Sequence, residues 1–490
     1  MILIYFFLII YVLAMLFVLF YSFAQAHLLY HFFRFKNIPH QKADQNVDEL
    51  PMVTVQLPIY NELYVVERLI EAVAKFNYPK EKLEIQLLDD STDETADIIQ
   101  SHIKKYPGVD FKYIHREIRT GFKAGALREG LELAKGEFIA IFDADFVPDP
   151  DFLLKTVGHF SNENVGMVQT RWTHLNESYS LLTRLQAFAL DAHFMVEQMG
   201  RNQQKAFINF NGTGGIWRKS CILDAGNWQD DTLTEDLDLS YRAQQKGWEF
   251  VYRPDIKSPA ELPPVMSAIK SQQFRWTKGG AECASKHLGN VLRKSFGFKV
   301  KFHATAHLLN AVIFIAVLLV SLSSIPVWWA FYKDMVPESL FQGAAVFLVG
   351  FVIIAMVYFF ANLSLVKYTW RGIGRFLWEL PLFLSVSMGL ALHNSQAVWE
   401  GLTGKKSPFI RTPKYNLSNE NRNWTKNVYT SWKIPFTTYL EGALALVFLT
   451  MVILSIQTKT YEMLVFHFML AVGYGLVSWE SFRGQIRSER

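Results

Sequence analysis

The chain has 490 residues, enough for more than one domain; half of them are hydrophobic, and the net charge is only +4. So small a basic excess excludes nucleic acid as the partner of a broad basic surface. Two cysteines, Cys221 and Cys283, are too few for a disulfide framework or a cysteine zinc site. The apolar residues crowd into the first 25 positions and the last 190, whereas roughly 30–300 has the mixed character of a soluble α/β domain.

Met1 to Ala24 carries no charge, and Arg34, Lys36 and Lys42 follow it. Ala24-Gln25-Ala26 imitates a signal-peptidase site, but no basic segment precedes it and the apolar stretch is too long for a signal sequence. Residues 1–26 are therefore expected to form a retained transmembrane helix, N-terminus outside, that delivers residues 27–300 to the cytosol.

In that middle segment, Met52 to Leu57 reads as a strand closed by Pro58, with Tyr60-Asn61-Glu62 in the next loop and a helix over 62–76. A second strand, Ile85 to Leu88, ends in Asp89-Asp90-Ser91-Thr92-Asp93, and a helix over 94–105 leads to a strand at 111–115. Thr120-Gly121-Phe122-Lys123-Ala124-Gly125 opens another helix, which stops at Gly136. Phe138 to Phe142 is an unbroken apolar run that predicts a buried strand, and it ends in Asp143-Ala144-Asp145. Strands alternating with helices imply a mainly parallel sheet, whose ligands collect at the carboxyl ends of the strands. Asp89, Asp90, Lys123, Asp143 and Asp145 are thus expected to line one cleft.

Two carboxylates as close as Asp143 and Asp145 repel unless a cation or donors lie between them. Mg2+ or Mn2+ there would also neutralise a bound diphosphate; the plain alternative is a solvated acidic turn. Lys123 offers a point charge for phosphate or is a solvated lysine, and Asp89 and Asp90 hold a nucleoside or cap the following helix. Farther on, Val165 to Gln169 predicts a strand that ends in Gln169-Thr170-Arg171-Trp172. Phe207 to Trp217 sets three glycines between apolar flanks, as either a ligand-approach loop or a tight turn. Thr234-Glu235-Asp236-Leu237-Asp238 opens a helix that runs to Gln245, and a strand follows at 248–252. An acidic helix start is ordinarily capping, and a general base is the alternative for Asp236. Gln272-Gln273-Phe274-Arg275-Trp276 offers a cation and a flat ring beside the second apolar region, or an Arg and Trp at a membrane surface.

In order and spacing, Asp-Asp, Lys-Ala-Gly, Asp-x-Asp, Thr-Glu-Asp and Gln-x-x-Arg-Trp over about 50–280 resemble family 2 glycosyltransferases of the cellulose synthase superfamily. The wording is closest to the cellulose-synthase-like A and C groups, the mannan and glucan backbone synthases. It lies in Val53-Thr-Val-Gln-Leu-Pro, Leu88-Asp-Asp-Ser-Thr-Asp, Lys123-Ala-Gly-Ala-Leu-Arg-Glu-Gly, Ala140-Ile-Phe-Asp-Ala-Asp-Phe and Phe210-Asn-Gly-Thr. The resemblance implies a glycosyltransferase-A-type α/β domain inserted between transmembrane helices. It gives Asp89 or Asp90 the nucleoside, Lys123 the diphosphate, and Asp143 and Asp145 the nucleotide and metal, Asp145 most directly. Phe210, Asn211, Gly212 and Thr213 would border the acceptor, with Glu235 beside them. Asp236 would deprotonate the acceptor hydroxyl, inverting an α-linked donor to a β-linked product. Gln272, Arg275 and Trp276 would hold the acceptor end and the departing diphosphate.

After Lys301, apolar stretches lie at about 304–330, 341–363, 376–399, 436–456 and 461–480. If all crossed, the basic segment 401–435 would lie outside, with Lys405, Lys406, Arg411, Lys414, Arg422, Lys426 and Lys433, against the positive-inside rule. Ser385, Gly389, His393, Gln396 and Glu400 make one polar stripe on 376–399, so this stretch is expected to lie at the interface, with His393 a polar-face residue. The loop 401–435 and the tail from Arg483 are then cytosolic. Phe409-Ile410-Arg411-Thr412-Pro413-Lys414 resembles the superfamily's Phe-x-Val-Thr-x-Lys gating loop, with Arg411 in place of the valine; Phe409, Thr412 and Lys414 are its matching positions. Anionic-lipid binding is the competing reading of that basic loop.

The expectation is a multi-pass membrane enzyme that polymerises a β-linked, β-1,4 glycan from cytosolic GDP-mannose or UDP-glucose with Mg2+ or Mn2+ and exports it. Its partners would be the nucleotide sugar, the growing polysaccharide and the bilayer. One rival is a transfer of single sugars to lipid, as in ceramide glucosyltransferases. The other is a transporter or receptor that only binds the nucleotide sugar.

Overall fold

The computed structural model describes residues 1–35, 50–337, 346–366, 369–417, 428–429 and 434–488. Seven strands form one sheet: β1 (Val53–Ile59), β2 (Leu83–Asp89), β3 (Asp110–His115), β4 (Phe138–Ile141), β5 (Val165–His174), β6 (Gly215–Arg218) and β7 (Glu249–Ala260). Their order is β3-β2-β1-β4-β6-β5-β7. All neighbours are parallel except β6, which runs against both β4 and β5. This is the mainly parallel sheet that the strand–helix alternation predicts, with one antiparallel strand that it does not. Pro58 lies inside β1 rather than after it. The ladder to β4 ends at the Gln56–Ile141 pair, so the missing N–H of Pro58 leaves no bond unmade on that side.

Strands β5 and β7 run past their expected ends at Gln169 and Tyr252. Their register slips between Thr170 and Arg171, where Pro254-Asp255-Ile256 bulges out, and the pairing resumes to His174 and Ala260. The extension raises Trp172 and Glu261 to the cleft.

Each face of the sheet is covered by helices whose apolar spacing explains them. Val66, Leu69, Ile70 and Val73 of the helix Val66–Ala74 are fully buried against Val53, Val55 and Leu57. Leu127 and Leu131 of Phe122–Leu133 pack on the other face with Ile139 and Ile141. At ~1.5–3 kcal/mol for each fully buried large aliphatic, such contacts dominate the domain's stability. The same cluster contains Leu28, Leu29 and Phe32. The N-terminal helix, Ile2–Phe35, is therefore longer than the expected 1–26, because its last turns belong to the core of the middle domain. Lys36 and Lys42 lie outside the described residues.

Five helices among the described residues are long and apolar enough to cross a membrane: Ile2–Phe35, Asn310–Tyr332, Val346–Leu365, Phe436–Thr458 and Leu464–Gln485. Each overlaps an expected span; residues 341–345 of the second C-terminal one lie outside the described residues. The polar-striped stretch begins earlier than 376, as Trp370–Gly389, and bends by 50° into Ala391–Leu402, a pair that would be a sixth crossing only if counted as one span. The bend follows Gly389, which packs on Gly473 so closely that an added Cβ would lie 2.3 Å from the Gly473 carbonyl oxygen. His393 Nε2 meets the Lys270 carbonyl at 3.0 Å, a packing role on the neighbouring helix Met266–Arg293.

Candidate active site

The turn after β4 places Asp143 and Asp145. The Phe146 amide donates to Asp143 O at 3.0 Å, and the Asp143 amide donates to Thr213 Oγ1 at 2.9 Å, so the turn is tied to the loop before β6. Asp143 Oδ1 accepts from Lys123 Nζ at 2.6 Å. Lys123 is the second residue of Phe122–Leu133, and its approach needs glycine twice. Gly121 takes φ +71°, and a Cβ on Gly125 would lie 2.0 Å from Thr120 O. The ammonium also donates to Gly212 O at 2.9 Å and lies 4.0 Å from Glu235 Oε1. Burial alone would lower its pKa, but the Asp143 and Glu235 carboxylates outweigh that and raise it.

Glu235 and Asp236 open the helix Glu235–Gln245 on the other side of Lys123. The N-cap Thr234 makes no side-chain cap bond. Asp236 Oδ1 accepts from the adjacent Leu237 amide at 2.8 Å, whereas Oδ2 faces Gly212, where an added Cβ would lie 3.1 Å away. Burial, reinforced by the Glu235 charge, pushes the Asp236 carboxyl up to about 7; burial raises Glu235 as well, against the pull of Lys123. Two residues on, Asp238 shows the opposite environment. It accepts from His287 Nε2 and Arg242 Nε, each at 2.8 Å, and lies 2.7 Å from Lys286 Nζ. Burial would raise Asp238, but these partners prevail and hold it down at about 2. Of the three acids, Asp238 is locked in ion pairs, whereas Asp236 and Glu235 keep raised pKa values at the cleft.

Gln272, Arg275 and Trp276 project into the same cleft from Met266–Arg293. Over it lies the loop 409–414. Arg275 Nη2 donates to Thr412 Oγ1 at 2.7 Å, and its guanidinium sits 4.8 Å from the Phe409 ring centroid. Lys414 Nζ meets Asp145 Oδ1 at 2.7 Å. Arg411 donates to both oxygens of Glu62, at 2.9 and 2.7 Å; burial nevertheless pushes Glu62 up to about 7. Residues 418–427 and 430–433, with Arg422, Lys426 and Lys433, lie outside the described residues.

At the β2 end the expected pair divides. Asp90 lines the cleft, held by Arg116 Nε and Nη2 at 2.7 and 2.5 Å. Asp89 is fully buried behind it and accepts from Tyr113 OH at 2.8 Å and the Ser91 amide at 3.0 Å. Neither caps Thr95–Ile103, whose N-cap is Glu94. Of the glycine loop, Asn211 and Gly212 reach the cleft. Phe210 packs inward on Trp217, and Thr213 serves the Asp143 turn. Four further residues line the cleft without a motif that points to them: Tyr60 and Arg119, whose guanidinium lies 3.5 Å from the Tyr60 ring centroid, and Glu62 and Glu261. Tyr60-Asn61-Glu62 directly after a predicted strand was the available signal for two of them.

Residues 51–279 match the family model described as glycosyltransferase like family 2. Over that segment the chain is similar to family 2 glycosyltransferases. Its similarity extends to plant proteins. Probable glucomannan 4-beta-mannosyltransferase 7 of Oryza sativa subsp. japonica is 45% identical over 280 residues, 55% of this chain and 48% of the relative. Glucomannan 4-beta-mannosyltransferase 7 of Arabidopsis thaliana is 40% identical over 304 residues, 58% and 55% respectively. The chain thus spans about half the length of the curated relatives it matches. Among solved structures, the mannosyltransferase PcManGT from Pyrobaculum calidifontis, in complex with GDP-Man and Mn2+, aligns at TM-score 0.54 and 18% identity. The alignment covers 80% of this chain and 100% of that one, which establishes a shared glycosyltransferase-A-like fold with apolar helices beside it.

Proposed function

We propose that the chain is an inverting, processive membrane glycosyltransferase that builds a β-1,4-linked mannan-type polysaccharide from GDP-mannose, with UDP-glucose the other donor to be tested. One observation carries the chemistry. A buried carboxylate of raised pKa, Asp236, faces the cleft a residue away from Glu235 and beside the Lys123–Asp143 pair. A general base needs that combination of reach and basicity. Asp236 takes the proton of the acceptor hydroxyl as its oxygen attacks the anomeric carbon. The bond from that carbon to the diphosphate oxygen breaks on the opposite face, which inverts α to β. Lys123 and Arg275 receive the charge of the departing diphosphate, and Trp276 offers a ring face to a sugar. The similarity to plant glucomannan 4-beta-mannosyltransferases supports mannose as the sugar.

Asp143 and Asp145 suit a divalent cation. Each carboxylate is met by a lysine ammonium, from Lys123 and Lys414, so the pair already attracts positive charge. No larger cluster of metal-ligating side chains occurs among the described residues. One or two carboxylates completed by substrate phosphates is the usual setting of Mg2+ or Mn2+, and the ion would there neutralise the diphosphate. The loop 409–414 covers the donor while Lys414 and Arg275 hold it. By charge parity, the domain 27–300 and the loop 401–435 face the cytosol. The residues around 376–400 lie at the interface, and the helices from 301 onward pass the polymer across the bilayer. Linkage analysis of the product tests the reading: digestion by a β-1,4-endomannanase supports it, and a single sugar on lipid refutes it.

A further inference from the structure

Behind the cleft, the helix Leu181–Ala192 does not continue regularly: His193–Gln198 forms a π turn before Met199–Gln203 resumes. Such turns re-aim side chains and recur at functional sites. Here His193, Glu197 and Gln198 all reach partners outside the turn, and the direction of every bond follows from one carbonyl. Gln198 Nε2 lies 2.8 Å from the backbone oxygen of Asn209, which fixes that atom as the amide donor. The same nitrogen therefore donates to Asn211 Oδ1 at 2.6 Å. Asn211 Nδ2 must then point at His193 Nε2, 3.0 Å away, which accepts. His193 Nδ1–H is left to donate to Glu197 Oε2 at 2.9 Å. The other carboxylate oxygen, Oε1, accepts from Gln25 Nε2 at 2.6 Å and Tyr21 OH at 3.3 Å, both on the N-terminal helix Ile2–Phe35.

The network begins on an apolar membrane helix and ends at the residue before Gly212. The Asn211 amide is itself held by Gln169 Oε1 at 2.9 Å, so backbone and side chain are clamped together. Gly212 O receives Lys123, and the Gly212 α-carbon faces Asp236 Oδ2. A shift of Asn211 would displace both groups that the transfer uses.

We infer that His193, backed by Glu197, Gln25 and Tyr21, is a positioning residue for glycosyl transfer: it fixes Asn211 so that Gly212 holds Lys123 and Asp236 in register with the acceptor. This rests on the reading of the cleft given above. The network makes the N-terminal membrane helix part of the catalytic machinery rather than an anchor alone, and ties the acceptor side of the site to the membrane.

The test is a double-mutant cycle on the full chain in detergent or vesicles, with His193→Ala, Asn211→Ala and the pair. Sugar transfer, nucleotide affinity and melting temperature are measured for each. We expect His193→Ala to lower kcat about tenfold, the factor for one well-placed hydrogen bond, with nucleotide affinity unchanged within about twofold. The double variant is expected to be no worse than the poorer single one. Gln25→Ala, remote from the cleft, should lower kcat in the same direction. Losses that multiply independently, or a parallel fall in nucleotide affinity and melting temperature without a change in kcat, would overturn the inference. The unaltered chain is the control for the underlying reading: absence of sugar transfer from it removes both, whereas transfer with an additive cycle removes only the role of His193.

Discussion

The raised pKa of Asp236 makes a sharp prediction about pH. A general base works only when ionised, so activity should rise as pH passes through about 7 and level off above it. An aspartate at the ordinary value would be fully ionised across that range and give no such limb. With the carboxyl near 7, kcat/KM at pH 6 should be roughly a tenth of the plateau. The cause can be tested separately from the value. Burial is the first contribution and the Glu235 charge the second, so Glu235→Gln should move the acid limb to lower pH by letting Asp236 ionise more easily. Asp236→Asn should remove turnover at every pH. The assay is nucleotide release against pH at low donor concentration, with nucleotide binding measured alongside to separate catalysis from affinity. A limb that stays at the same pH in Glu235→Gln, or a flat profile from pH 5 to 9, would refute the reasoning.

Other expectations follow from the same geometry. Arg411→Val restores the residue of the resembling motif but strands the buried Glu62 carboxylate. It should loosen loop 409–414 by about 3 kcal/mol, seen as faster proteolysis there, and adding Glu62→Gln should recover most of it. Asp238→Ala should lower the melting temperature strongly, because it leaves Lys286 and Arg242 without a buried carboxylate. Asp236→Asn should leave the melting temperature at pH 8 unchanged or higher, since a group whose folded pKa is raised opposes folding when ionised. Chelation of divalent ions should suppress transfer, and Asp145→Asn should raise the Mn2+ concentration needed to restore it; full activity in chelator would contradict the role given to Asp143 and Asp145.

The sheet was legible because its strands are short apolar runs that end in charge, as at Phe138–Phe142 before Asp143. The helices were legible from spacing, as at Leu69, Ile70 and Val73. The extension of β5 and β7 was not, because Arg171 and Arg253-Pro254-Asp255 read as loop. Their pairing is a tertiary fact, made by a bulge and bonds such as Arg171 Nε to Pro254 O at 2.9 Å. The overrun of the first helix past residue 26 was hidden for a similar reason: Leu28, Leu29 and Phe32 look like membrane residues and are core residues of the domain. Among the site residues, Lys123, Asp143 and Asp236 could be proposed from motif and chemistry. Helical spacing could pair Asp238 with Arg242 one turn on, but the contacts from His287 and Lys286 that hold Asp238 and leave Asp236 alone come from nearly fifty residues away and are a tertiary fact. The roof contact between Arg411 and Glu62 joins residues 349 positions apart, beyond any local pattern.

The most direct measurement of the central claim uses the purified full chain in inverted vesicles with Mg2+ or Mn2+. GDP-mannose and UDP-glucose are supplied separately, and nucleotide release and product size are scored beside Asp236→Asn. The account predicts long β-linked polymer from GDP-mannose, lost in the variant while nucleotide still binds. Tight nucleotide binding with no sugar product from either donor, or activity that survives in Asp236→Asn, would contradict it.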